Sequence, residues 1–180
     1  MARAGRAGMQ STTNFGFLDG YDARLVQLGG RAERYFHDDP VTTILVLRQF
    51  SEVLCKQVAA RHALYRGERE TFEETLRRLA FERIVPREAS DVFHALRKAG
   101  NSAAHDINGT HADALTALKF ARQLAIWFHR TYGKQPDFKP GPFIKPADGD
   151  GEIRLRLAES ERVAQEARRE AQEHARARET

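Results

Sequence analysis

The chain is 180 residues long, 41% hydrophobic and 30% charged, with 29 Lys+Arg against 25 Asp+Glu for a formal net charge of +4. That is the size of one domain with room for an appended arm, since a wholly globular chain runs to roughly 45–50% apolar. No apolar run approaches the roughly 18 residues that span a bilayer, the start has no apolar signal core, and a lone cysteine, Cys55, excludes an intrachain disulfide or a thiolate zinc site.

A cytoplasmic location is the default. Both charge signs are mixed along most of the chain, so the mild basicity reads as a solvated surface before it reads as a nucleic-acid footprint. Residues 1–16, with Arg3 and Arg6, read as a flexible leader.

The first helical signal runs from Phe17 to Phe36, where Leu18, Tyr21, Leu25, Leu28, Ala32 and Tyr35 recur on one face. Gly29-Gly30 inside it implies either a close crossing by a neighbour or a break. Asp39-Pro40 predicts a helix start, with Asp39 as N-cap and Pro40 in the first turn. The helix that follows, Val41 to His62, carries a broad apolar stripe through Ile44, Leu47, Phe50, Leu54 and Val58 and reads as the central helix of a bundle, with Cys55 as a small core residue. Thr71-Phe72-Glu73-Glu74 is a capping box opening a short helix through Leu76, Leu79 and Phe81. Pro86 starts another, Arg87 to about Ile107, or one beginning at Ser90. Thr110-x-x-Asp113 caps the last core helix, which Gly133 closes.

Four prolines between Pro136 and Pro146, interleaved with Phe138, Phe143 and Ile144, forbid a regular helix and predict an extended strap over 136–151 that packs on the bundle. From Glu152 to Thr180 seven glutamates and seven arginines alternate among alanines, with no large apolar residue after Val163. Such a stretch is helical through i,i+4 pairs and has little to bury, which suits a charged arm, linker or weak coiled coil. The expected fold is therefore all-α: a compact bundle of about five helices over 17–135, a Pro-rich strap and a long charged C-terminal helix.

The segment Asp91 to His105 is the most informative one for chemistry. On a helix, Arg97, Asn101 and His105 fall at i, i+4 and i+8 and share a face that His94 extends, while Val92, Leu96, Ala99, Ala103 and Ile107 face the core. One reading is a phosphate-handling site: Arg97 neutralising a phosphodiester, His105 as general acid or base, and Asn101 orienting the imidazole or bonding a nucleotide. The other is structural, with the polar groups bonding neighbouring helices and Gly100 permitting a close crossing.

Three stretches carry a resemblance: Asp39-Pro40 through Leu47-Arg48-Gln49-Phe50 with Glu52, then Phe93-His94-Ala95-Leu96-Arg97-Lys98-Ala99-Gly100-Asn101-Ser102-Ala103-Ala104-His105, and Ala125-Ile126-Trp127-Phe128. Across roughly Phe17 to Pro146 the chain resembles the uncharacterised helical domain found at the N-terminus of type I restriction (HsdR-like) R subunits and related helicase proteins, within the broader HEPN group of helical bundles. The resemblance implies a HEPN-like bundle and makes the charged tail a linker toward nuclease and helicase regions. Many HEPN proteins are metal-independent ribonucleases that dimerise to pair an arginine and a histidine from each subunit. Carried over, Arg97 and His105 take those catalytic roles, and His94, Lys98 and Asn101 become nucleic-acid or partner-binding residues. The group's motif sets four to six residues between the two, whereas seven lie between Arg97 and His105; Lys98 stands at the six-residue spacing but lacks the guanidinium fork.

No Gly-x-x-x-x-Gly-Lys-Ser/Thr loop, His-Glu-x-x-His or cysteine pair is present, so no cofactor and no metal are expected. His62, His111, His129 and His174 read as ordinary surface or boundary histidines, and Asp39 as a helix cap rather than, with Asp38, a cation site. Three functions remain in view. The first is a non-catalytic accessory module of a restriction-modification-type system, docking on a protein partner or a downstream nuclease/helicase region, with weak nucleic-acid contact through Arg61, Arg66, Arg69, Arg77, Arg78 and Arg83. The others are a dimeric HEPN-type ribonuclease and a homodimerisation scaffold. No membrane partner is expected.

Overall fold

A computed structural model describes residues 14–106 and 108–147, together with positions 159, 160, 162, 163, 165, 166 and 169. The chain divides into two units, one ending at Pro146 and one beginning at Ala147. The first is an all-α bundle: a 3-10 turn, Gly16–Leu18, precedes α1 (Ala23–Tyr35), α2 (Pro40–Arg61), α3 (Phe72–Phe81), α4 (Arg87–Asp106) and α5 (His111–Tyr132). Among the described residues no helix is long and apolar enough to cross a membrane.

The helix boundaries follow local chemistry. Asp39 caps α2, accepting a hydrogen bond from the Thr42 amide at 2.8 Å and one from its hydroxyl at 2.6 Å, which holds the Asp39 carboxyl below its ordinary pKa. Reciprocal capping boxes, Thr71 with Glu74 and Thr110 with Asp113, open α3 and α5. The helix expected from Phe17 instead starts at Ala23, because Asp22 accepts from the Arg24 amide and supplies the cap that ends the preceding turn. Gly133 is the C-cap of α5 at φ −86°, and Lys134 takes the left-handed conformation at φ 54°. Glycine is needed at 133 for space: a Cβ there would collide with the Tyr21 hydroxyl.

Helix α2 packs against α1, α3, α4 and α5, and Leu47, Phe50, Leu54, Cys55 and Val58 are all fully buried on it. Burial pushes the Cys55 thiol up to about 12. Helix α1 runs unbroken through Gly29-Gly30; the Phe15 ring sits so close that a Cβ at 29 would lie 2.6 Å from its Cγ. Of the leader expected over 1–16, residues 14 and 15 therefore pack into the bundle. Asn14 and Phe15 are buried, because an aromatic ring that fills a glycine notch gains more from burial than the chain loses in freedom. Residues 1–13 lie outside the described residues.

After α5 the chain runs without regular structure over the bundle to Pro146. Ile144 exchanges hydrogen bonds with the Asn14 amide group, at 2.7 and 3.0 Å, and His37 Nε2 lies 2.8 Å from the Pro146 carbonyl. Phe143 packs against the core. Beyond Ala147 the second unit is described only at helical positions within 159–169, where Arg162 pairs with Glu159 at 2.8 Å and Glu166 at 2.6 Å; most of the charged arm, including His174, lies outside the described residues.

Candidate functional site

Helix α4 is amphipathic as the spacing requires. Val92, Phe93, Leu96 and Ala103 are buried, Ala99 is half-buried, and Ile107 lies outside the described residues. Gly100 is the closest point of the α2–α4 crossing: a Cβ there would stand 2.8 Å from Arg48 Cγ and closer still to Arg48 Cβ and Cδ. The Arg48 side chain lies across that gap and donates from Nε to Asn101 Oδ1 at 3.0 Å.

From Arg48 a polar ladder runs along α2. Glu52 lies 3.8 Å from Arg48 Nη1 and 3.2 Å from Lys56 Nζ. Lys56 also reaches Glu68 at 3.5 Å, and the Tyr65 hydroxyl donates to Glu68 at 2.6 Å. Burial pulls the Lys56 ammonium down, but the hydrogen bonds and charges of Glu52 and Glu68 outweigh it and its pKa ends raised. Beyond Arg48, the ladder residues Glu52, Lys56, Tyr65 and Glu68 line an open cavity of about 410 Å³ together with Arg24, Gln49 and Gln57. Its cations and carboxylates largely compensate one another.

The remaining residues of the stripe part company. Arg97 turns to α3, its Nη1 3.2 Å from Glu73 Oε2 with the side chain 16% exposed, and its buried Nε finds no hydrogen-bond partner among the described residues. Half-buried His94 has its pKa lowered, first by burial and then by the positive charges of Arg97 and Lys98. Lys98 and His105 are exposed. Arg97 and His105 stand eight residues apart, so about 12 Å of helix rise separates their backbones. Arg97 and Asn101, neighbours on one helix face, thus bond to two different helices.

The arginines read as nucleic-acid contacts are partly committed elsewhere. Arg78 pairs with Glu70 in a largely buried contact, Arg77 with Glu73 at 3.3 Å, and Arg61 stacks 4.9 Å over Phe128 while bonding Gln57. Arg66, Arg69 and Arg83 are exposed. His129, read as a boundary histidine, is buried, with its Nδ1 2.9 Å from the Tyr21 hydroxyl. His62 and His111 are exposed and bond the Tyr132 hydroxyl and the His37 carbonyl, at 2.9 and 2.8 Å.

Arg48 is the residue that sequence reasoning left without a role, with Glu52 and Lys56 behind it. The signal was present, since the three stand at i, i+4 and i+8 on α2 with alternating charge. Which helix would lie opposite them was not in the spacing.

Fold and site together define a compact helical domain in which the polar stripe of α4 is bonded to both α2 and α3. Residues 30–147 match the family described as "Domain of unknown function (DUF4145)", and the chain belongs to that family. It is 31% identical over 142 residues to the type I restriction enzyme EcoKI endonuclease subunit of Escherichia coli (strain K12), an alignment covering 79% of this chain and 12% of that relative. The chain thus resembles a small part of that subunit. No solved structure matches.

Proposed function

We infer that the chain is a non-catalytic accessory module of a restriction-modification-type DNA-processing system, docking on a partner protein or on a nuclease/helicase region. The similarity to part of a restriction endonuclease subunit supports the setting, and the resemblance of the Arg97 to His105 segment supports a HEPN-like bundle. The observation that carries the non-catalytic reading is the division of the α4 stripe: Asn101 holds Arg48 across Gly100, and Arg97 is paired with Glu73. A guanidinium poised for a phosphodiester would be held toward the histidine it works with, whereas these groups bond helix to helix. Polar bonds of this kind fix one crossing geometry, and a rigid crossing is what a docking surface needs.

The competing reading is a dimeric, metal-independent ribonuclease, favoured by the exposed imidazole of His105 near the end of α4. Labelled RNA and duplex DNA incubated in EDTA with wild type and His105→Ala separate the two. The module reading expects neither protein to cleave either substrate. Cleavage of RNA by wild type, lost in His105→Ala, overturns it in favour of the ribonuclease.

A further inference from the structure

The outer face of α5 and the strap that follows it enclose a groove of about 510 Å³, within the range of small-ligand pockets. Its walls include three cations, Lys119, Arg122 and Arg130, and an apolar floor of Ile126, Trp127 and Phe143; none of the described residues lining it is acidic. The surroundings repeat that imbalance, because residues 114–147 hold six Lys+Arg and one carboxylate, Asp137. Elsewhere in the bundle Arg24, Arg48, Arg77, Arg78 and Arg97 each meet a carboxylate, so this face departs from the mixed charge of the rest.

The groove's cations are held by neutral groups. Arg122 Nη2 donates to the Gly141 carbonyl and reaches that of Pro142 at 3.4 Å, while its Nε is buried with no partner among the described residues. Arg130 donates from Nε and Nη2 to the Phe138 carbonyl, at 3.0 and 2.9 Å. Lys119 is exposed, and its Nζ stands 5.9 Å over the Phe143 ring. Backbone carbonyls orient the two guanidinium groups without cancelling their charge, which leaves two held cations and the exposed Lys119 around an aromatic floor. Trp127 is itself fixed, packed edge-on against Phe93 and Tyr132 at 6.2 Å. Lys119 and Arg130 are eleven residues apart on one helix, so the cationic row is about 16 Å long.

A row of cations beside half-exposed aromatic rings matches one class of polyanion better than others. An acidic peptide would satisfy the cations but gain little from the indole, whereas single-stranded nucleic acid offers phosphates and base faces together. We propose that this groove binds single-stranded nucleic acid, one base stacking against Trp127 and Phe143 and the flanking phosphates seated on Lys119, Arg122 and Arg130. The site is built from α5 and the strap, none of the α4 stripe residues lines it, and it does not rest on the docking role proposed above.

Trp127 is the chain's single tryptophan, so its fluorescence reports on this groove alone. The intact chain is titrated with a short single-stranded oligonucleotide, a duplex of equal length and polyglutamate, over a range of salt. The single strand quenches Trp127, and its affinity falls as salt rises. Lys119→Gln, which removes the charge at an exposed position, weakens binding severalfold and flattens the plot of log K against log salt by roughly 0.7 for the lost phosphate contact. Arg87→Gln removes an equal charge from the start of α4 and leaves affinity within about twofold. Trp127→Phe, followed by anisotropy of a labelled strand, weakens binding further because a smaller ring stacks less. No quenching by the single strand overturns the proposal, as does equal quenching by polyglutamate, which would assign the groove to an acidic protein. Tighter duplex binding that leaves Trp127 unquenched, or equal loss from Lys119→Gln and Arg87→Gln, does the same. None of these outcomes touches the cleavage test of the docking module, which reads His105.

Discussion

Replacing Gly100 by alanine tests whether the α2–α4 crossing is set by the absence of a side chain. A Cβ at 100 would lie 2.8 Å from Arg48 Cγ, and nearer to Arg48 Cβ and Cδ. Cδ can swing away, but Cβ is fixed to the α2 backbone, so the two helices must part by a fraction of an ångström. Overpacking of this kind costs up to about 3 kcal/mol. Alanine returns about 1 kcal/mol of helix propensity in the middle of α4. The net loss is then about 2 kcal/mol, and separation of the helices also lengthens the Arg48–Asn101 bond. For a domain of this size that lowers Tm by about 6–10 °C, measured by circular dichroism at 222 nm, with the urea midpoint falling in parallel. Gly141→Ala is the control, since nothing lies within 4 Å of a Cβ there, and it leaves Tm within about a degree. A Gly100→Ala protein as stable as wild type, or more so, would refute the close crossing and return the glycine to a propensity defect.

Three further outcomes are expected. A double-mutant cycle between Arg48→Ala and Asn101→Ala gives a coupling energy of about 1 kcal/mol in urea unfolding, the net size of an ordinary hydrogen bond, since the Arg48 side chain is partly exposed; strict additivity would remove the bond from the stabilising set. Cys55, its pKa raised by burial to about 12 from 9.0, keeps its proton in the folded chain at pH values where the unfolded chain loses it. Stability on this account is whole below pH 9 and falls as pH rises toward 12, Tyr21 and Tyr132 adding in the same direction because burial raises them too. Iodoacetamide at pH 8 therefore labels Cys55 only at the rate of unfolding, and rapid native labelling would contradict the burial. Asp39 works in the opposite sense: hydrogen bonds from the Thr42 hydroxyl and amide lower its pKa, so its contribution is present above the ordinary carboxylate value and is lost as pH falls through the folded one. Asp39→Asn keeps a cap at pH 7 while flattening the acid limb of the stability profile, and Asp39→Ala costs about 1 kcal/mol at neutral pH; an unchanged acid limb in Asp39→Asn would count against that linkage.

Much of the fold was legible along the chain because it is written in local chemistry. The Asp39-Pro40 start, both capping boxes and the period of the α2 stripe are short-range signals, each settled within a turn or two of backbone. An apolar stripe wide enough to be buried on several sides made α2 central, and it packs against the other four helices. The misjudged places are those where a distant partner decides. Composition made Asn14 and Phe15 a tail, yet the notch above Gly29 buries them. Gly133 does close α5 as its place in the sequence suggested, and the Tyr21 hydroxyl, from the other end of the bundle sequence, adds a need for its missing side chain that spacing could not show.

The candidate sites divide in the same way. Helical periodicity alone placed Arg97, Asn101 and His105 on one face, because spacing along a single helix determines azimuth. What each side chain touches depends on which helices flank that face, and only the packed bundle assigns Glu73 to Arg97 and Arg48 to Asn101. The α5 groove goes further. Lys119, Arg122, Trp127 and Arg130 carry no motif, and the strap residues that wall them in arrive after a change of direction that four prolines permit but do not aim. The sequence by itself determined the helices, their caps and their buried faces, through interactions that reach no further than the next turn. Only the tertiary structure decided which polar groups are spent between helices and which remain charged and open, because that depends on contacts between residues far apart in the chain.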